Sequence, residues 1–279
     1  MSFYLNFIQP STGQNLKLKE LNFYHYKTLN KFLINNNNFH IAEYFDDILN
    51  ECLVEENSFS SFTNFDKFCA LVLLRCTCVS PEIEYNVGAT SAKSSLLPFL
   101  KRCLDLKIDF NKTVKVDDNI EVIFSLPKSL YFETVLDALQ DTIFDVFYQN
   151  KKVIYNNKKE LIETLPAEVF KYAKKFSEEI DSMFSEVKMN IGVKEKDQFA
   201  ISPFNLSFFE ILKALYLGNL KNIIELQYVL VNKCRYSAEY VDKYTLAENL
   251  ILANIYETEV KKINEEQSKS METQVPGIK

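Results

Sequence analysis

The sequence predicts an α+β chain, predominantly helical, with short antiparallel strands in its N-terminal region and a helical bundle at its C-terminus. Three observations carry that expectation. Apolar residues recur at helical spacing with clear punctuation through residues 202–262, SPFNLSFFEILKALYLGNLKNIIELQYVLVNKCRYSAEYVDKYTLAENLILANIYETEVKK. Residues 3–8 and 15–20 instead alternate apolar and polar around Pro10-Ser11-Thr12-Gly13, the pattern of a β-hairpin. Glycine is scarce (5 of 279 residues) while Phe (23) and Tyr (15) are plentiful, which leaves little room for many tight turns.

After the hairpin a helix is expected over 23–34, ended by the Asn35–Asn38 run. A second follows over 40–54, with Ile41, Phe45, Ile48 and Leu49 on one side. Asn64 or Asp66 starts a third, apolar nearly all round and therefore expected to be buried. Residues 82–87 alternate like a strand, and Pro98 suits the first turn of a helix in the ambiguous stretch 94–104. Residues 107–116 and 120–124 read as strands paired across Asp117-Asp118-Asn119.

Residues 131–148 place Val135, Leu139, Ile143 and Val146 in helical register. KKVIYNNKK is expected to hold a strand. Pro166 opens a helix over 167–189 whose apolar face carries Phe170, Ala173, Phe176, Ile180 and Phe184. Residues 199–201 add one strand. Asn205 then caps a helix bearing Leu206, Phe209, Leu212 and Tyr216, with Gly218 placed as a left-handed terminator. A further helix carries Leu220, Ile223, Ile224, Leu230 and Val231 on one broad face. Ser237 or Thr245 starts the last, Thr245 forming a capping box with Glu248. Its stripe is Leu246, Leu250, Ala253 and Val260, with Lys261 and Lys262 near its C-terminal end. The polar run from Asn264 is expected to fray. These elements divide into an N-terminal α+β region (1–126), a central helical region (127–202), a C-terminal helical region (203–263) and a disordered tail (264–279).

Composition excludes several functions. A net charge of −6 argues against a nucleic-acid binder. No apolar run approaches the roughly 18 residues of a membrane span, and the N-terminus lacks a signal-peptide pattern. The six cysteines show no framework spacing, so reduced thiols in a cytoplasm are expected. Cys69, Cys76 and Cys78 lie six and one residues apart within one helix, unlike zinc-ligand pairs, and no metal is expected. His25 and His40 are the only histidines. No nucleophile elbow accompanies them, and neither a phosphate-binding loop nor a dinucleotide fingerprint occurs. The paired carboxylates Asp46-Asp47, Asp117-Asp118 and Glu178-Glu179 are adjacent, so they do not face each other on a helix. No catalytic residue, cofactor or enzymatic activity is expected.

What remains is protein binding. The Phe- and Tyr-rich surface of the 202–262 stretch is expected to receive a partner, with Phe204, Phe208, Phe209, Tyr216 and Tyr240 contributing. The bland alternative for each is a core side chain.

Four segments together resemble the baseplate hub assembly proteins of T4-like bacteriophages. The hairpin is followed by LNFYHYKTLNKFLI. INNNNFHIAEYFDDILNECLV leads into FTNFDKFCALVLLRCTCVS, where Asp66, Leu73, Leu74 and Arg75 match a helix of aspartate, aromatic, leucines and arginine. VDDNIEVIFSLP precedes the middle of the chain, and ISPFNLSFFEIL precedes RYSAEYVDKYTLAENLIL. The family's proline and tryptophan ahead of a glutamate would fall on Leu246 and Ala247, so that motif is degraded around Glu248. Some relatives carry cysteine pairs, but Cys103 stands alone here and no metal is carried over. The resemblance implies a non-enzymatic factor for the central hub of a contractile tail, a chaperone for a hub or tape-measure protein. It implies the host cytoplasm during assembly, and the virion tail baseplate if the protein is retained. The other readings are a permanent hub subunit and a helical adaptor unrelated to phage tails.

Overall fold

The computed structural model describes residues 4–54, 59–87, 90–106, 110–190 and 198–272. Its centre is helix α3 (Asn64–Cys78), 12 of whose 15 residues are buried. Thr63 and Asp66 start it with a reciprocal capping box, which satisfies two first-turn N–H groups. Helices α1 (Phe23–Asn35) and α2 (Asn38–Cys52) precede it, and α2 packs on both α1 and α3. The asparagine run works as two devices: Asn36 adopts the left-handed conformation that closes α1, and Asn37 caps α2. Ile41, Phe45, Ile48 and Leu49 are buried, as their spacing required.

Strands β1 (Tyr4–Ile8) and β2 (Asn15–Lys19) form the expected hairpin. Leu16 and Leu18 point inward while Lys17 and Lys19 point out. Gly13, at φ +71°, supplies the left-handed turn residue and donates its N–H to the Gln9 carbonyl. A second hairpin, β3 (Glu82–Val87) and β4 (Thr90–Ser95), leads into α4 (Leu97–Leu104), with Pro98 in its first turn.

A four-stranded antiparallel sheet follows in the order β5 (Asn111–Lys115), β6 (Ile120–Ser125), β7 (Ile143–Tyr148), β8 (Lys151–Lys152). The expectation of one helix over 131–148 is corrected here. Only α5 (Val135–Asp141) is helical, and Ile143 to Tyr148 pair with β6. IFDVFY is rich in aromatic and β-branched residues and also alternates, so an available partner strand overrides the helical spacing. The expected strand over 107–116 is described from Phe110 on, and residues 107–109 lie outside the described residues.

Helix α6 (Lys158–Thr164), capped by Asn157, precedes α7 (Ala167–Phe184). α7 ends five residues before the expected limit, and β9 (Lys188–Asn190) pairs with β10 (Gln198–Ala200). Among its described residues the stretch 127–202 therefore contains four strands as well as helices. α7 packs on the sheet, where Phe176 stacks on Phe124 with centroids 5.9 Å apart.

The chain ends in α8 (Ser207–Tyr216), α9 (Leu220–Tyr228), a π-helical turn (Val229–Lys233), α10 (Ala238–Lys243) and α11 (Leu246–Glu272). Asn205 acts one residue early, accepting from the Ser207 N–H at 2.7 Å. Ser237 caps α10, and Thr245 with Glu248 forms the expected capping box on α11. Of the residues assigned to the broad apolar face, Ile223 and Leu230 are buried and Ile224 is half exposed. α11 turns Asn249 fully inward and Leu250 outward. It runs on past Asn264 to Glu272, so Lys261 and Lys262 lie inside the helix rather than at its end.

Gly218 also works differently from the expectation. Its φ is not left-handed; a Cβ there would stand 2.6 Å from the Tyr26 hydroxyl and 3.3 Å from Asn30 Oδ1. Its N–H donates to that Asn30 oxygen at 2.6 Å. Gly218→Ala is expected to cost about 1–3 kcal/mol through overpacking, read as a lower urea midpoint. An unchanged midpoint would mean that α1 yields freely.

Nearly all the buried apolar residues from Phe7 to Val241 form one cluster. It includes five of the six cysteines, while Cys234 is half buried. Burial raises the thiol pKa of Cys52 to about 12 and of Cys76 to about 11, and pushes Cys69 and Cys78 upward. Alkylation of the native protein at pH 8, followed by mass spectrometry, is expected to label Cys234 first. The other five should react only on unfolding, and rapid labelling of Cys69 would contradict this packing.

Candidate partner-binding surface

Four of the five residues expected to meet a partner are interior. Phe204, Phe208, Phe209 and Tyr216 are 5%, 1%, 0% and 0% exposed; Tyr240 is 41% exposed. Phe208, Phe209 and Tyr216 lie on α8 and Phe204 just before it, and all four turn inward, with α8 resting on α3. Phe208 stacks on Phe68 with centroids 4.5 Å apart and lies 5.8 Å from Phe65. Tyr216 packs edge-on against Phe45 and donates its hydroxyl proton to the Leu71 carbonyl at 2.7 Å. Phe204 meets Phe176, and Phe209 meets Tyr131. These four are corrected to core residues. Tyr240 stacks between Tyr236 and Tyr244 on the surface of α10.

Beside the packed face of α8, Ala214 and Leu217 are exposed, while Ile211 and Leu215 are buried. A groove of about 610 Å³ runs between this helix and β3. Ile211, Ala214, Leu215 and Leu217 form its helical wall, Ile83 the strand wall, and Met189 of β9 contributes at one end. Leu217 is 61% exposed, projecting just past the end of α8. Charged residues edge the groove: Glu82, Glu84 and Lys93 on the hairpin and Glu210 on α8. Lys93 serves two carboxylates at once, lying 2.8 Å from Glu84 and 3.6 Å from Glu82.

Arg75 fixes the walls in place. It stands in the last turn of α3, and its Nε–H donates to the Leu215 carbonyl at 2.7 Å. Nη1 donates to the Ser80 carbonyl, and Nη2 makes a long 3.5 Å contact with the Glu82 carbonyl. One rigid guanidinium thus joins the end of α8 to the start of β3. Burial lowers its pKa. A guanidinium remains charged in proteins, so its carbonyl partners compensate the buried charge.

Asp66 does the equivalent work at the other end of α3. Completely buried, it accepts from Thr63 N–H and Oγ1, Ser11 N–H and Oγ, and Gln9 Nε2 at 2.6–3.2 Å. The turn of the first hairpin is thereby fastened to the first turn of α3. Asp66 and Arg75, which mark the helix in the sequence, are fold anchors.

The groove went unseen in the sequence because its walls come from segments about 130 residues apart, around Ile83 and Leu215. The one local signal was Glu82-Ile83-Glu84, an exposed alternation on a short strand. A second cleft, about 460 Å³, is more polar, with Asp137, Asp141, Lys158 and Lys159 among its lining. Among the described residues no group of three or more His, Cys, Asp and Glu is placed to hold a metal. No helix among them is long and apolar enough to cross a membrane.

No curated protein and no solved structure matches the chain. A family profile described as T4 bacteriophage base plate protein matches residues 3–210, three quarters of the chain. The matched segment contains the first hairpin, α3 with both anchors, the β3–β4 hairpin and the start of α8. The chain belongs to the T4 bacteriophage base plate protein family, and its setting is the phage tail.

Proposed function

We propose that this protein is a non-enzymatic assembly factor for the central hub of the phage baseplate, acting as a chaperone for a hub or tape-measure protein. The observation that carries the reading is the open groove between α8 and β3. Beside the packed face of α8, Ala214 and Leu217 leave exposed apolar surface on the groove wall. A factor that shields a partner before incorporation needs such a surface, and the family provides the tail as the setting. Both histidines are engaged with glutamates of α2, His25 with Glu51 at 3.2 Å and His40 with Glu43 at 3.1 Å.

The test is co-expression of this chain with the hub and tape-measure proteins of its own phage, followed by pull-down. Soluble co-purification with one of them is the expected result. Capture of none would overturn the reading. A permanent hub subunit is the second reading, favoured by family membership itself. It predicts stoichiometric amounts in purified particles, whereas a chaperone is depleted from them. An adaptor unrelated to phage tails is set aside by the family match.

A further inference from the structure

We infer that the outer edge of β3 is a docking edge for an extended segment of a partner protein that alternates apolar and basic residues. The inference deepens the assembly reading above and rests on it. Among the described residues β3 pairs with β4 alone, so no strand covers its other edge. The direction of that edge follows from Glu82. Its N–H donates to Ser80 Oγ at 3.0 Å and its carbonyl turns toward Arg75, both away from β4. In an antiparallel ladder the outward-facing residues alternate, so the main-chain groups of Glu84 and Asn86 also point outward. The groove begins along this edge, since Glu82, Ile83 and Glu84 all line it.

Alternation also separates the two faces. Ile83 packs toward the core, while Glu82 and Glu84 stand on the exposed face with Lys93 opposite Glu84. A strand added beside β3 would place every second side chain next to Ile83, toward the exposed Ala214 and Leu217 of the groove. Apolar residues suit those positions. The intervening side chains would lie beside two glutamates that share one lysine, and basic residues suit that net negative charge. Main-chain pairing would give affinity, and the two faces would give selectivity.

The test uses a fluorescein-labelled hexapeptide alternating valine and lysine, with a valine–glutamate hexapeptide as counter-probe. Anisotropy titrations are expected to show saturable binding of the first and at least tenfold weaker binding of the second. Glu84→Lys reverses the charge of the edge. Glu84→Pro removes an outward N–H without touching the β3–β4 ladder. Each is expected to raise Kd at least tenfold at unchanged melting temperature. Equal binding of the two peptides, binding of neither, or indifference to Glu84→Pro would overturn the inference. Capture of a tail protein without peptide binding would overturn the edge and leave the assembly role standing. Peptide binding without such capture would support the edge and overturn the assembly role.

Discussion

Asp66→Ala is expected to destabilise the fold by about 3–5 kcal/mol, the sum of a lost helix cap and of buried donors left without an acceptor. Five donor contacts converge on this one carboxylate from Gln9, Ser11 and Thr63. Removing it leaves the buried Thr63 and half-buried Ser11 main-chain N–H groups without that acceptor. The loss also uncouples the first hairpin from α3, because the contacts to Ser11 and Gln9 span more than fifty residues of sequence. Asp66→Asn is expected to cost less, since one oxygen still accepts, but not to be neutral, because its amide sets a donor among donors. Urea denaturation of the three proteins checks the order wild type, Asn, Ala. Equal midpoints for wild type and Ala would mean that the turn around Ser11 is held by other contacts.

The second large effect is Phe208→Ala, expected to cost about 3–5 kcal/mol through lost burial and the cavity left in the core. Phe208 is stacked on Phe68 and Phe65 and also meets Phe184. No single neighbour can fill the space without leaving its own contacts. The contrasting substitution is Tyr240→Ala, on the surface of α10, where about 1 kcal/mol or less is expected from the lost tyrosine contacts. Thermal melts of the two variants separate core from surface. If Phe208→Ala kept its melting temperature and lost a partner, the aromatic face of α8 would be the interface, and its burial here would be misread.

These two residues also mark the limits of the sequence. Helices α1 to α3 and the first hairpin were legible because their signals are local: period, turn residues and caps. The same holds for the Thr245–Glu248 capping box. β7 was hidden because Ile143 and Val146 satisfy two periods at once, and only the presence of β6 decides between them. β4 was hidden because TSAKSS has no apolar alternation; it is a strand only through its pairing with β3. Phe204, Phe208, Phe209 and Tyr216 read equally well as core or as docking surface, and the choice depends on α3, about 140 residues earlier. The groove depends on the same long-range packing seen from the other side. Asp66 and Arg75 stood out as sequence markers, but the carbonyls and donors they hold come from segments far along the chain.

The central claim is that the α8–β3 groove captures a tail protein, and Leu217 is the residue to change. Its side chain is exposed on the groove wall, so Leu217→Glu should leave the melting temperature within about 1 °C of wild type, as surface changes generally do. The measurement is the pull-down from co-expression with the hub and tape-measure proteins, run in parallel for wild type and Leu217→Glu. The account predicts capture of one tail protein by the wild type and loss of at least nine tenths of it in the variant. Equal capture by both would contradict it, and the partner would then have to be sought on another face.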